Sequence, residues 1–71
     1  MLFKKNEFYA MLARREMTVK RLAASMNLNK ATLYRKINGM ADFTRAEIAT
    51  IANVLSLDKE DIFNVFFNQN Y

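Results

Sequence analysis

In the segment KATLYRKIN, residues 30 to 38, the apolar Leu33 and Ile37 stand four apart, the spacing of one face of a helix. A helix that buries those two turns Lys30, Ala31, Thr32, Tyr34, Arg35 and Asn38 outward or onto its flanks. The chemistry open to such a set is recognition. A guanidinium can donate two bonds to guanine O6 and N7, an ammonium can approach the same edge or a phosphate, and the methyl of Ala or Thr can pack on a thymine methyl. Tyr34 has two readings: its ring could stack on sugar or reach a base, or it could shield the helix edge. Reaction chemistry is poorly provided for. The chain has no Cys, no His and a single Gly, so the usual general base, thiolate nucleophile and Gly-rich phosphate loop are all missing. Asp58, Glu60 and Asp61 are better explained as first-turn charges of a helix than as an acid pair or a metal site. No enzyme, metal or cofactor is expected.

Those side chains need a helix, and the helix needs neighbours. The spacing predicts a first helix over about Asn6 to Arg15, with Phe8, Met11 and Leu12 on one face and Arg15 at its edge. Thr18 is a natural N-cap, its hydroxyl able to accept from the free amides of the next turn. Val19, Leu22, Ala23 and Met26 then form the buried stripe of a second helix, on which the small Ala23 allows close approach. Asn27 tolerates the left-handed conformation that a sharp turn requires, Leu28 is expected to plug the gap, and Asn29 to cap a third helix over Lys30 to Asn38. Leu33 and Ile37, and at the far end Met40, are expected to face inward. Gly39 supplies the left-handed stop. Thr44-Arg45-Ala46-Glu47 matches a capping box, with Phe43 and Ile48 as its hydrophobic staple, and opens a fourth helix with the stripe Ile48, Ile51, Ala52 and Leu55. Asp58 opens a fifth, running to about Asn68.

Composition bounds the whole. A chain of 71 residues is one domain that buries only about 60% of its unfolded surface. With no Pro and 52% hydrophobic residues, it reads as helices joined by short connections. A reduced, intracellular setting suits the missing Cys, and no apolar run approaches the roughly 20 residues of a membrane span. Charge is divided along the chain. Residues 1 to 36 hold nine cations against two carboxylates, +7, whereas residues 37 to 71 hold two against five, −3. A basic half on a small domain is the footprint of a polyanion partner, or else simply a solvated surface.

These features together resemble the helix-turn-helix domain of phage repressors and Cro-like regulators. The resemblance covers roughly residues 6 to 57 and rests on Thr18, the Leu22-Ala23 pair, the turn at Asn27 and Leu28, Leu33-Tyr34-Arg35, and Asn38-Gly39; the endings FTRAEI and LSLDKEDIFNVFF look similar to small phage-encoded members. It implies an all-α, compact, five-helix domain spanning 1–71, with the motif at 18–39 and a C-terminal helix at about 58–68. In that family the third helix lies in the major groove. Carried over, Lys30, Ala31, Tyr34 and Arg35 would face bases, while Thr18 and Asn38 would hold the DNA backbone; the residues' own chemistry adds Thr32 to the base-facing set and Lys20 and Lys36 to the backbone set. The chain departs from the family in three places. Val19 replaces a frequent Gln after the cap, Asn27 stands where Gly is usual, and Leu12 and Ile37 replace an Arg–Glu pair. The last two are expected to touch, exchanging an ion pair for packing.

On a helical wheel Ile62, Phe63, Val65, Phe66 and Phe67 span about 200°, wider than one core face requires. The surplus predicts a homodimer through Ile62, Phe63, Phe66 and Phe67, with Tyr71 beside them; the alternative is that these aromatics wrap the first and fourth helices of one monomer. The expected function is a sequence-specific, operator-binding regulator of phage or prophage type, in the cytoplasm of a bacterial host at the nucleoid, with double-stranded DNA as partner and no membrane. A rival is an antirepressor or modulator of the same fold that binds another phage regulator. A third reading is a non-specific nucleic-acid binder.

Overall fold

The computed structural model describes residues 3–67. Five α-helices follow one another: α1 Lys5–Arg14, α2 Val19–Ser25, α3 Lys30–Ile37, α4 Arg45–Leu55 and α5 Lys59–Ile62, the last running on into a π-helical turn, Phe63–Phe67. Among the described residues there is no strand. Four of the starts read from the sequence carry the expected caps. The Thr18 side chain accepts from the Arg21 amide, Asn29 from the Ala31 amide, and Thr44 and Asp58 both close full capping boxes, with Glu47 and Asp61 respectively. α1 has no side-chain cap. Its lead-in is held instead by the Lys4 amide, which donates to the Val65 carbonyl at 2.7 Å and so ties the two ends of the fold together.

The first four helices all end in the same way. Glu16, Asn27, Gly39 and Ser56 take left-handed φ of 53°, 58°, 81° and 55°. After each, the next amide reaches back to close the last turn: Met17 to the Leu12 carbonyl, Leu28 to Ala23, Met40 to Arg35 and Leu57 to Ala52, all at 2.9 Å. These are Schellman closures, and each places an apolar residue just past the left-handed position. Met17 and Leu57 use it to pack on the core. Met40 does not: it is 69% exposed, contrary to the inward placement expected of it, because the chain reverses at Gly39 before Met40 can join the α3 face.

The core is built from the stripes the periodicity indicates, Phe8, Met11 and Leu12 on α1, Val19, Leu22 and Ala23 on α2, Leu33 and Ile37 on α3, and Ile48, Ile51 and Leu55 on α4. Leu12 and Ile37 lie in this one cluster, 3% and 1% exposed, the shared environment that replacing an ion pair by packing requires. Arg15, at the edge of α1, donates from Nε to the Leu55 carbonyl at 2.8 Å and pairs with Asp61 at 3.5 Å, linking the ends of α1 and α4 to α5.

Two expectations at the C-terminus are corrected. The fifth helix is α-helical only to Ile62 and then widens. In the widened turn the adjacent Val65 and Phe66 both turn inward, 3% and 0% exposed. Phe66 therefore cannot form a dimer surface; its ring sits 5.5 Å from Phe3, 6.3 Å from Phe8 and 5.4 Å from Phe43, centroid to centroid. Phe63 and Phe67 are half-exposed, and Ile62 is partly buried against the core. Asn68, the expected end of this helix, and Tyr71 lie outside the described residues.

Candidate nucleic-acid interface

α3 packs across α2 and is fixed by the burial of Leu33 and Ile37, 0% and 1% exposed. Because those two lie on one side, Lys30, Ala31, Thr32, Tyr34 and Arg35 are all exposed. The structure thus brings the five candidate base-facing residues onto a single free surface. Lys30 Nζ lies 6.0 Å from the centre of the Tyr34 ring, the outer limit of a cation–π contact, so both can swing toward a ligand at little cost. The basic Arg35 stands one residue further on, in the last turn.

The four candidate backbone-holding residues separate. Thr18 is exposed; its Oγ1 accepts from the Arg21 amide at 3.1 Å, which leaves the hydroxyl proton to donate outward. Lys20 is exposed on the first turn of α2. Asn38 is exposed at the end of α3, and its Oδ1 accepts from Lys5 Nζ at 3.3 Å. Lys36 is placed differently. Its ammonium lies 3.1 Å from Glu47 Oε1 and donates to the Asp42 carbonyl at 3.0 Å, with the two side chains only 13% and 20% exposed. It holds the α3–α4 connection instead of standing free for a phosphate.

Glu47 is the hub of that connection, accepting from the Thr44 amide at 2.9 Å while pairing with Lys36. Burial opposes its ionisation, but the Thr44 amide, the Lys36 hydrogen bond and charge, and the Thr44 hydroxyl together outweigh it and hold the carboxyl below its ordinary value of 4.5. In the sequence Glu47 carries only the signal of a cap, and nothing there sets Lys5 beside α3: Lys5 and Asn38 are 33 residues apart, and only the fold brings their side chains together.

A second feature lies near α5. An open groove of about 440 Å³ is lined by Phe43, Arg45, Ile48, Ala49, Ile62 and Phe67. Among the described residues there is no group of three or more metal-ligating side chains, and no helix is long and apolar enough to cross a membrane.

An outward cationic and polar face on the second helix of a tightly turned pair is an arrangement for docking against nucleic acid. Comparisons with curated proteins and with solved structures find no match. The family model of the Cro/C1-type HTH DNA-binding domain matches residues 9–67, from within α1 to the end of the π turn, and the chain belongs to that family.

Proposed function

We propose that the protein is a sequence-specific transcriptional regulator of phage or prophage type, repressor- or Cro-like, that lays α3 in the major groove of operator DNA. The observation that carries this reading is the exposed set Lys30, Ala31, Thr32, Tyr34 and Arg35 on a helix anchored by Leu33 and Ile37. The mechanism is binding alone. Cationic side chains displace counterions and supply affinity, while α3 reads base edges and supplies preference. Thr18, Lys20 and Asn38 hold phosphates on either side. Occupying the operator in a bacterial cytoplasm then blocks or redirects polymerase.

A homodimer through Phe63 and Phe67, with Ile62 beneath them, serves this function by spacing two copies of α3 for half-sites about 34 Å apart. Titration of labelled duplexes over a salt series, with sequences selected from a random pool, tests the reading. A steep salt slope together with a preferred sequence supports it. Binding that is equally tight on every duplex means a non-specific binder. A second reading has its own support in the apolar groove between Phe43 and Phe67: a modulator that docks on another regulator. It takes over if no duplex binds even at low salt.

A further inference from the structure

We infer that Lys5 and Asn38 form a two-point clamp for one DNA phosphate at the C-terminal end of α3. This rests on the reading that α3 docks on DNA, and it adds a contact from α1 that the motif itself does not contain. The residue expected to hold backbone at this end, Lys36, is occupied by Glu47 and the Asp42 carbonyl. Lys5 replaces its charge. The exposed ammonium lies 3.3 Å from Asn38 Oδ1, and since a Lys can only donate, that contact fixes which side of the Asn amide faces it. The two N–H donors of Nδ2 are thereby directed away from Lys5. An ammonium and an oriented amide, both exposed beside the recognition surface, offer donors of the kind that phosphate oxygens accept. Their mutual bond alone stabilises an exposed pair little, so their value lies in what they jointly contact.

The test is duplex binding by Lys5→Gln over 50 to 200 mM salt, with Lys5→Arg, Asn38→Ala, the Lys5→Gln/Asn38→Ala double variant, and Lys59→Gln as an exposed control on α5. Losing one phosphate contact lowers the salt slope by about 0.9, which over this fourfold range narrows the gap between variant and wild type by about threefold. Lys5→Gln should show that change equally on preferred and unrelated duplexes, with unchanged helicity and melting temperature. Lys5→Arg should restore the slope, Lys59→Gln should leave it alone, and Asn38→Ala should cost less once Lys5 is gone. A wild-type slope and affinity in Lys5→Gln, while Arg35→Ala still loses sequence preference, overturns the clamp and leaves the DNA reading standing. A loss of affinity accompanied by lowered melting temperature and an unchanged slope also overturns it. A wild-type chain that binds no duplex removes both.

Discussion

Replacing Lys36 by Met keeps the aliphatic stem and removes the ammonium, and it separates a structural lysine from a DNA-holding one. In the fold that ammonium makes two contacts, 3.1 Å to Glu47 and 3.0 Å to the Asp42 carbonyl. An exposed ion pair contributes about 0–1 kcal/mol, and a hydrogen bond to a charged group about 1.5–3 kcal/mol. With side chains 13% and 20% exposed, the pair sits between those limits, and the expected loss is about 2 kcal/mol. For a domain of this size that lowers the melting temperature by roughly 8 to 16 °C. The pH dependence has a definite sign. A carboxyl whose pKa is depressed by folding stabilises the fold fully above its unfolded value and loses that contribution as pH falls through the folded one. Glu47 is held below 4.5 partly by Lys36, so wild type and Lys36→Met should differ most at neutral pH, and the difference should shrink as the pH drops below about 4.5 toward what the Asp42 carbonyl contact alone contributes. Thermal melts and urea titrations at pH 7, 5 and 3.5 measure this. A variant within about 0.5 kcal/mol of wild type at pH 7, the range of an ordinary surface substitution, would refute the structural role, and the more so if its DNA salt slope fell by about one.

Arg35→Ala should relax preference at one base position by roughly 1 to 3 kcal/mol, seen as a flattened profile in selection from a random duplex pool. Phe66→Ala should destabilise by about 3–5 kcal/mol in chemical denaturation. Phe67→Ser should leave the monomer fold nearly intact and abolish dimerisation in sedimentation at micromolar concentration; a monomeric wild type would remove the dimer. Ser56→Gly should raise stability by up to about 1 kcal/mol, since a left-handed non-Gly residue carries about 1–2 kcal/mol of backbone cost, part of which the freer unfolded Gly returns. Duplex affinity should not change, because Ser56 lies at the far end of α4.

The helix starts were legible because capping is local: Thr18, Asn29, Thr44 and Asp58 each act on amides two or three residues away. The stops were half legible. Asn27 and Gly39 advertise a left-handed turn, whereas Glu16 and Ser56 adopt the same conformation with side chains that give no hint of it. The signal they do carry is the apolar residue that follows, Met17 and Leu57, whose burial offsets the backbone cost. The π turn was illegible in the sequence, because no local signal in Phe63–Phe67 distinguishes a widened turn from a continuing α-helix. An α-helical wheel counts Phe66 within the surplus surface.

The recognition face divides along the same line. Lys30, Ala31, Thr32, Tyr34 and Arg35 follow from two buried positions four residues apart, and the structure leaves all five exposed. Which cations remain free to meet a phosphate depends instead on long-range pairing. Lys36 and Lys5 are both lysines in the basic half of the chain, yet one is drawn to a carboxylate on α4 and the other stays exposed, donating to the Asn38 amide oxygen at the end of α3. The Glu47 carboxylate draws Lys36 in: burial opposes its charge, and the Lys36 ammonium joins the Thr44 amide in offsetting that cost. The residue that closes the capping box of α4 thus also engages a cation of α3. On the proposed DNA reading, the cations available to phosphates depend on the α3–α4 connection as well as on the motif itself. Substitutions at Glu47 should accordingly change DNA binding through a released Lys36, raising the salt slope toward one additional phosphate contact while lowering the melting temperature. A Glu47→Gln variant with an unchanged slope would show that Lys36 remains on the Asp42 carbonyl without its carboxylate partner.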